Sequence, residues 1–193
     1  METSKMNFLK AFLSIITILL VLSACSQASN NPDSQATEKP VSAPSVDIHT
    51  AVLSGNIEAV KQHIKSGTDI NAKEPMSGST PLISAATFNK PEIAKVLVDA
   101  GADLTLKNND GATALHTAAF FGRIEIVQVL IDAKADKSLR NNYGATARES
   151  VMAPFEDVKP IYEMIQQQLA PLGFKLDFEE LQKSRPVIAM MLQ

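Results

Sequence analysis

The stretch that decides the fold runs from Asp110 to Asp136 and reads DGATALHTAAFFGRIEIVQVLIDAKAD. A short apolar run follows the Asp110–Gly111 turn, Gly122 ends it, and a second run extends from Ile124 to Ala133. In the second run, apolar residues fall at i, i+1, i+4 and i+5, which places them on one face of a helix. The pattern predicts a turn followed by two short antiparallel helices, and neither helix can bury its apolar face without similar neighbours.

Similar neighbours are present along the chain. The segment TPLISAA at residues 80–86 lies 33 residues before TALHTAA at 113–119, and NYGAT at 142–146 repeats NDGAT at 109–113 with the same spacing. A 33-residue period with a core of the T-P-L-H-x-A type is typical of ankyrin repeats. Residues 46 to about 170 resemble that family. The resemblance implies an all-α solenoid of about four helix-turn-helix repeats with a helical C-terminal cap.

The repeat boundaries follow from the period, and we expect four repeats at residues 46–73, 74–107, 108–140 and 141–170. The fourth repeat departs from the pattern after Thr146, because Pro154 and Pro160 interrupt it. A helix is still predicted over Ile161–Leu169, where apolar residues keep a helical period. A polar, degenerate last repeat suits the end of a stack, where no further repeat covers it.

Residues 171–193 lie outside the resemblance and form a C-terminal helical extension. We expect a short helix over Asp177–Lys183, capped by Asp177, and Pro186 then opens an apolar tail, Val187–Leu192. This tail has two interpretations. It covers the last repeat as a hydrophobic lid, or it docks into another protein, since Met-rich apolar surfaces adapt to partners.

The N-terminus predicts export. Lys5 and Lys10 precede a 12-residue apolar run, Ala11–Leu22, which has the length of the apolar region of a signal peptide and is short for a membrane span. The run ends at the sequence Leu22, Ser23, Ala24, Cys25, which resembles a bacterial lipobox. The alternative is an uncleaved anchor helix with an incidental cysteine.

The resemblance to a lipobox implies that residues 1–24 are a lipoprotein signal peptide and that Cys25 carries acyl chains. Such chains would anchor the protein in the lipid bilayer. Residues 25–45 contain the lipidated cysteine and a polar segment, which we expect to be a flexible tether with a reach of roughly 25 Å. Ser26 implies the periplasmic face of the outer membrane in a Gram-negative cell, and otherwise we expect the outer face of the cytoplasmic membrane.

The ends of the second helices predict one strained residue. Gly67 and Gly101 stand where a helix ends in the left-handed conformation, which glycine adopts without cost, and Lys134 has the same place in the third repeat. The residues that follow are acidic in all three repeats, and we interpret them as caps of local backbone amides. Metal ligands are the alternative for these three residues: Asp69, Asp103 and Asp136.

Composition and motifs argue against catalysis. The chain has three histidines, His49, His63 and His116, and no spacing assembles them into a nucleophile–base or metal-ligand cluster. We interpret His116 as a structural hydrogen-bonding residue. The sequence has no phosphate-binding glycine loop, so we expect no enzyme activity, cofactor, metal or small-molecule substrate. The net charge of −3 includes no basic stripe, which disfavours nucleic acid as a partner.

Ankyrin proteins generally bind partners with their turn tips and the exposed side of each first helix. Carried over to this sequence, the candidate tip residues are Met76, Ser77, Asn109, Asp110, Asn142 and Tyr143. The candidate first-helix residues are Thr87, Phe88, Phe120 and Phe121. We expect the three phenylalanines to form one apolar patch that Tyr143 closes off, because aromatic anchors dominate protein interfaces. The alternative is that these rings tuck under the neighbouring repeat.

The sequence thus predicts a non-catalytic protein that mediates protein–protein interaction in the bacterial cell envelope. Two alternatives remain at this point. One is an immunity, inhibitor or accessory protein for an envelope enzyme or toxin, and the other is a purely structural envelope module. The identity of the partner protein is not encoded in the motifs.

Overall fold

A computed structural model describes residues 42–193. The predicted signal peptide, the lipobox with Cys25 and most of the tether lie outside the described residues. Between residues 42 and 193 the chain forms helices and no strand. The helices are α1 Ile48–Ser54, α2 Ile57–Lys65, α3 Pro81–Thr87, α4 Pro91–Asp99, α5 Ala114–Phe120, α6 Ile124–Asp132, α7 Phe155–Leu169 and α8 Phe178–Met191, with single 3-10 turns at Glu149–Val151 and Ala170–Leu172.

The first helix of each repeat begins at a residue that the sequence selects for that purpose. The side chains of Thr80 and Thr113 accept hydrogen bonds from the third backbone amide of α3 and α5 respectively. Pro81 stands at the first position of α3, where its missing N–H leaves no hydrogen bond unmade. In the first repeat Asp47 caps α1 in the same way, and this helix begins at Ile48, two residues after the first residue of the repeat predicted over 46–73.

The helices stack in two layers. The first helices α1, α3 and α5 pack side by side, as do the second helices α2, α4 and α6. Their apolar faces form one continuous core, whose fully buried members include Val60, Leu97 and Leu130. Burial of such side chains stabilises a fold by about 1.5–3 kcal/mol each. Each helical pair buries its apolar face only against its neighbours, as the repeat pattern predicted.

Lys134 has a backbone conformation that a lysine rarely adopts. Its φ is 63°, next to φ values of 74° at Gly67 and 85° at Gly101. The predicted equivalence of these three helix ends is therefore confirmed in the backbone. Asn89, in the turn between α3 and α4, also has a positive φ of 53°. Such a conformation costs about 1 kcal/mol or more for a residue other than glycine.

The last unit of the stack is built differently from the first three. The 3-10 turn Glu149–Val151 packs against α5 where the first helix of a fourth repeat would lie. Helix α8 packs against both α6 and this turn, and it therefore has the place of the second helix of that repeat. It also runs parallel to α6, because Ser184 lies beside Gly122 at the start of α6 while Lys137, beyond the end of α6, binds the carbonyl of Met191.

Three expectations about the C-terminal part need correction. The predicted helix over Ile161–Leu169 is present within α7, but it lies outside the place of a second repeat helix and is an insertion before α8. Pro160 and Pro186 do not end helices; both lie inside one, on its exposed side. The short helix predicted over Asp177–Lys183 accordingly continues to Met191. Each proline removes one helical hydrogen bond, and packing on the opposite side of the helix outweighs that loss.

The apolar tail packs onto the solenoid. Ile188 is fully buried and Leu192 is 4% exposed, and both belong to the core that the repeats share. The side chain of Lys137 donates hydrogen bonds to the carbonyls of Met191 and Gln193 at 3.2 and 3.0 Å. The tail therefore covers the third repeat, which agrees with the lid interpretation. Between residues 42 and 193, no helix is both long and apolar enough to cross a membrane.

Candidate functional site

The turn tips project from the stack and expose large side chains. The apolar side chain of Met76 is 89% exposed, and the aromatic side chain of Tyr143 is 80% exposed. Ser77, Asn109, Asp110 and Asn142 are exposed as well. The structure thus brings all six predicted tip residues to the surface, in a row that crosses three successive turns.

Backbone hydrogen bonds fix the spacing of this row. The amide of Asn109 donates to the carbonyl of Ser77 at 2.9 Å, and the amide of Asn142 donates to the carbonyl of Asp110 at 3.0 Å. The side-chain amides of the same two asparagines donate to the carbonyls of Met76 and Asn109. Each tip is therefore joined to the next by two hydrogen bonds, and the row is held rigidly before any partner arrives.

Two lysines add a second line of contacts along the turns. The ammonium group of Lys73 donates to the carbonyl of Lys107 at 2.6 Å, and that of Lys107 donates to the carbonyl of Arg140 at 2.8 Å. Arg140 in turn pairs with Glu149 at 2.7 Å. These cations bind neighbouring repeats of their own chain, and their role is to hold the turns in register.

The three repeated aspartates cap local backbone. Their carboxylates accept hydrogen bonds from the amides of Asn71, Thr105 and Ser138, each two residues further along, at 2.8 to 2.9 Å. Hydrogen bonds from the Thr105 and Ser138 hydroxyls lower the pKa of Asp103 and Asp136 below the ordinary carboxyl value. The bonds support the structural interpretation of Asp69, Asp103 and Asp136.

His116 is a structural residue, as predicted. Its Nδ1 lies 2.8 Å from the hydroxyl of Thr113 and accepts a 3.3 Å hydrogen bond from the backbone N–H of Thr113, which completes a capping box at the start of α5. Its Nε2 lies 3.1 Å from the carbonyl of Ala145 in the next turn. Burial lowers the pKa of His116, because a buried imidazole loses the hydration that stabilises its charged form.

The phenylalanines at the ends of the first helices lie in a second, separate apolar cluster. Phe121 is only 8% exposed and Phe88 and Phe120 are partly buried. The ring of Phe174 lies 5.9 Å from that of Phe88 and 5.2 Å from that of Phe121, in edge-to-face geometry that aromatic pairs prefer. Tyr162 lies 4.6 Å from Phe120.

This arrangement corrects the predicted patch. Tyr143 does not close it, because that ring is exposed at a turn tip. The rings that close it are Phe174, between α7 and α8, and Tyr162 on α7, neither of which was predicted as a site residue. Sequence reasoning missed them because neither ring has an equivalent position in an earlier repeat. The chain's own C-terminal segment thus lies on the predicted aromatic surface, and Thr87, the fourth first-helix candidate, remains half-buried beside it.

A buried polar contact holds this segment in place. The hydroxyl of Tyr162 donates to the carbonyl of Phe120 at 2.8 Å and accepts from Nη1 of Arg185 at 2.6 Å. Arg185 is 3% exposed, and its Nη2 donates to the carbonyl of Ala153 at 2.7 Å. Burial raises the pKa of Tyr162 above its ordinary value, so the hydroxyl keeps its proton for the bond to Phe120.

Arg123 borders the same cluster. Its guanidinium carbon lies 5.9 Å from the centre of the Phe174 ring, a distance compatible with a cation–π contact. Nη2 makes a long contact of 3.4 Å with the carbonyl of Thr87. Burial lowers the pKa of Arg123 to about 10. Because this pKa lies well above neutral pH, the side chain keeps its positive charge there.

Comparison with known proteins agrees with this geometry. Residues 48–141 match the family model described as ankyrin repeats, in three copies. The match ends where the helical pairs end, before the 3-10 turn. The ankyrin repeat domain of Bcl-3, a solved structure, superposes with a TM-score of 0.52 at 32% identity, over 53% of this chain and 45% of that one. The repeats therefore form an all-helical ankyrin-repeat solenoid, and α7 and α8 lie beyond the matched residues.

Two curated relatives are similar over about a third of the chain. Protein phosphatase 1 regulatory subunit 27 of Homo sapiens is 45% identical over 64 residues, which is 33% of this chain and 41% of that protein. An ankyrin repeat protein of Rickettsia bellii is 41% identical over 71 residues, 34% of this chain and 42% of its own length. The chain thus spans about two fifths of the length of these relatives.

Proposed function

We propose that this ankyrin-repeat protein binds another protein in the bacterial cell envelope, anchored there by lipid on Cys25, and that it catalyses no reaction. The observation that carries the proposal is the row of turn tips. Met76 and Tyr143 are almost fully exposed on turns that hydrogen bonds hold at a fixed spacing. Exposed apolar and aromatic side chains on a rigid frame are the anchors that protein interfaces use.

Two further observations support a protein as the partner. One relative is by name a regulatory subunit of protein phosphatase 1, and such a subunit assembles with another protein. Two of the histidines also make structural hydrogen bonds: His116 caps α5, and His63 joins Thr68 to the carbonyl of Val46. We therefore propose recognition through surface contacts.

The experiment that tests binding uses the mature chain, residues 25–193, as bait in an extract of envelope proteins. The double variant Met76→Ala/Tyr143→Ala is the test, and Met190→Ala, which also removes an exposed apolar side chain away from the tips, is the control. We expect a protein that the wild type and the control retain and that the double variant loses. Equal recovery by all three baits would contradict a site at the tips.

The lipid anchor is proposed from the lipobox sequence and needs its own test. Cells that express the protein are fed an alkyne analogue of palmitate, and the purified protein is examined for the label. We expect the wild type to carry the label and to pellet with membranes, whereas Cys25→Ser carries none and is released by fractionation. Label that persists in Cys25→Ser would contradict acylation at this residue.

A further inference from the structure

Helix α7 is a separate unit that lies on the aromatic cluster of the repeats. Tyr162 is its one buried residue, while Phe155, Val158, Ile165 and Leu169 are partly buried around it. These five residues are spaced by three and four positions in alternation, which is the spacing of a helix that lays one apolar stripe into a groove. The cluster under this stripe includes Phe120 and Phe121 of the repeats and Leu181 of α8. We call this surface the aromatic groove, and α7 lies on it as a helical ligand would.

The contacts of α7 are weaker than those of α8. Helix α8 buries Ile188 and Leu192 in the core of the repeats and is fixed at its end by Lys137. Helix α7 contributes no residue to that core, and its opposite face leaves Ile161 and Met164 about half exposed. Segments with few buried apolar contacts open at lower free energy than the core they lie on.

Both ends of α7 are suited to movement, and its release breaks two hydrogen bonds to the segment that follows, from Arg185 to the Tyr162 hydroxyl and from the Leu176 amide to the Gln166 side chain. The helix begins after Pro154 and has no side-chain hydrogen bond at its first turn. It is followed by the 3-10 turn and by Gly173, whose φ of 80° marks a change of direction before Phe174. A few residues at the ends of an element are enough to absorb a hinge motion.

We propose that α7 is an exchangeable occupant of the aromatic groove, and that a helix of a partner protein takes its place while α8 stays bound. This inference rests on the proposed protein-binding function and adds a second contact surface to the tips. The partner helix would carry apolar side chains at i, i+3, i+10 and i+14, as α7 does, and a tyrosine or an acidic residue at i+7, the position of Tyr162 in α7.

The requirement at the centre comes from Arg185. When α7 leaves, this arginine loses the Tyr162 hydroxyl and is left with the carbonyl of Ala153 as its acceptor. The ion pairs found within residues 42–193 do not include Arg185. An uncompensated buried charge is costly, so the incoming helix must supply a hydroxyl or a carboxylate at that position.

The probe for this exchange is a fluorescent peptide with the sequence of α7, residues 154–170, added to the mature chain with Cys25→Ser. We expect saturable binding in fluorescence anisotropy, and about tenfold weaker binding for a peptide with Tyr162→Ala, which lacks both the ring and the hydroxyl. In the chain itself, Tyr162→Phe weakens the resident helix, so it should bind the wild-type peptide more tightly. No binding to either chain would overturn the proposal.

A disulfide between α8 and the repeats distinguishes release of α7 alone from release of α7 and α8 together. A Cβ atom on Gly122 would lie 3.5 Å from Cβ of Ser184, within the range that disulfides use. It would also lie 2.8 Å from Cδ1 of Leu181, and the φ of Gly122 is 71°, so the Leu181 side chain must shift and the reduced variant is compared with the wild type for peptide binding first. Gly122→Cys/Ser184→Cys therefore joins α8 to the repeats when it is oxidised. We expect the oxidised and reduced variants to bind the peptide equally, and loss of binding on oxidation would overturn the proposal that α8 stays in place.

Two other results would also be decisive. Dimers that form with rising concentration and dissociate on addition of the peptide would mean that a second copy of this chain supplies the helix. That result would overturn the proposal of a different protein as the partner.

The peptide assay requires no natural partner and leaves the tips untouched. Its failure would therefore leave the tip proposal standing, and failure of the tip variants would leave the groove result standing.

Discussion

The guanidinium of Arg185 donates a 2.6 Å hydrogen bond to the hydroxyl of Tyr162, and both residues are buried. The same hydroxyl donates to the carbonyl of Phe120, so one oxygen atom connects α8, α7 and α5. The stack of repeats is joined at this point to a segment that lies outside the repeat pattern.

Removal of this hydroxyl should destabilise the protein. Tyr162→Phe keeps the ring but leaves the Phe120 carbonyl and one guanidinium N–H without their partner, and we expect a loss of about 1–3 kcal/mol in the free energy of unfolding. Tyr143→Phe is the matched control, since that hydroxyl is at an exposed tip. Urea unfolding of both variants provides the comparison, and equal midpoints would contradict the bridging role of Tyr162.

Replacement of Lys134 by glycine should stabilise the protein. Its φ of 63° is unfavourable for a residue with a Cβ, so Lys134→Gly should raise the free energy of unfolding by about 1 kcal/mol. The reverse change, Gly67→Lys, should lower it by a similar amount, because a Cβ there meets no neighbouring atom and backbone strain alone is added. Thermal unfolding measures both, and a lowered melting temperature for Lys134→Gly would show that the helix ends differently.

The cap formed by α8 should be as important for stability as the repeat core. Ile188→Ala removes a fully buried side chain at the end of the stack and should cost about 2–5 kcal/mol. Met190→Ala, two residues away, removes a side chain that is 62% exposed and should change stability by less than about 0.5 kcal/mol. Similar small effects of the two changes would mean that α8 is not packed as a repeat helix.

His116 should make the protein less stable in weak acid. Its pKa in the folded state is lowered by burial, so below the ordinary value of about 6.5 the unfolded chain binds more protons than the folded one. Above a pH of about 6.5 the neutral His116 leaves the free energy of unfolding at its full value. This free energy decreases as the pH falls from there toward the folded-state pKa of His116. His116→Gln can retain the capping-box bond but cannot titrate.

The measurement is the urea midpoint at pH 7.5 and pH 5.5 for both proteins. We expect a larger decrease for the wild type than for His116→Gln. The capping carboxylates Asp103 and Asp136 have lowered pKa values and stay ionised across this window, so they contribute equally to both proteins. An identical decrease in the two proteins would contradict the assignment to His116.

The repeats could be predicted from the sequence because their contacts are local and periodic. The threonine caps and the tip row recur at a spacing of 33 residues, and the left-handed helix ends recur at 34 and 33, so one repeat predicts the next. The C-terminal segment could not be predicted in this way. Tyr162 reaches Phe120 across 42 residues of chain, and no period relates them.

Local signals were also misleading in that segment. Pro160 and Pro186 suggested helix breaks, yet both residues face solvent while the opposite faces of α7 and α8 are packed. Tertiary burial outweighed the local preference. The phenylalanines predicted on the exposed side of the first helices are covered for the same reason: Phe121 is buried and Phe88 and Phe120 are partly buried, because Phe174 and Tyr162 pack on them.

The most direct test of protein recognition by the tips is photo-crosslinking in the source cells. A photoreactive amino acid replaces Met76 or Tyr143 in the full, lipid-anchored chain, and Gln128, exposed on the second helix α6, is the control position. We predict one discrete adduct of higher mass from both tip positions and none from Gln128. No adduct at the tips, or the same adduct from Gln128, would contradict recognition by the row of turns.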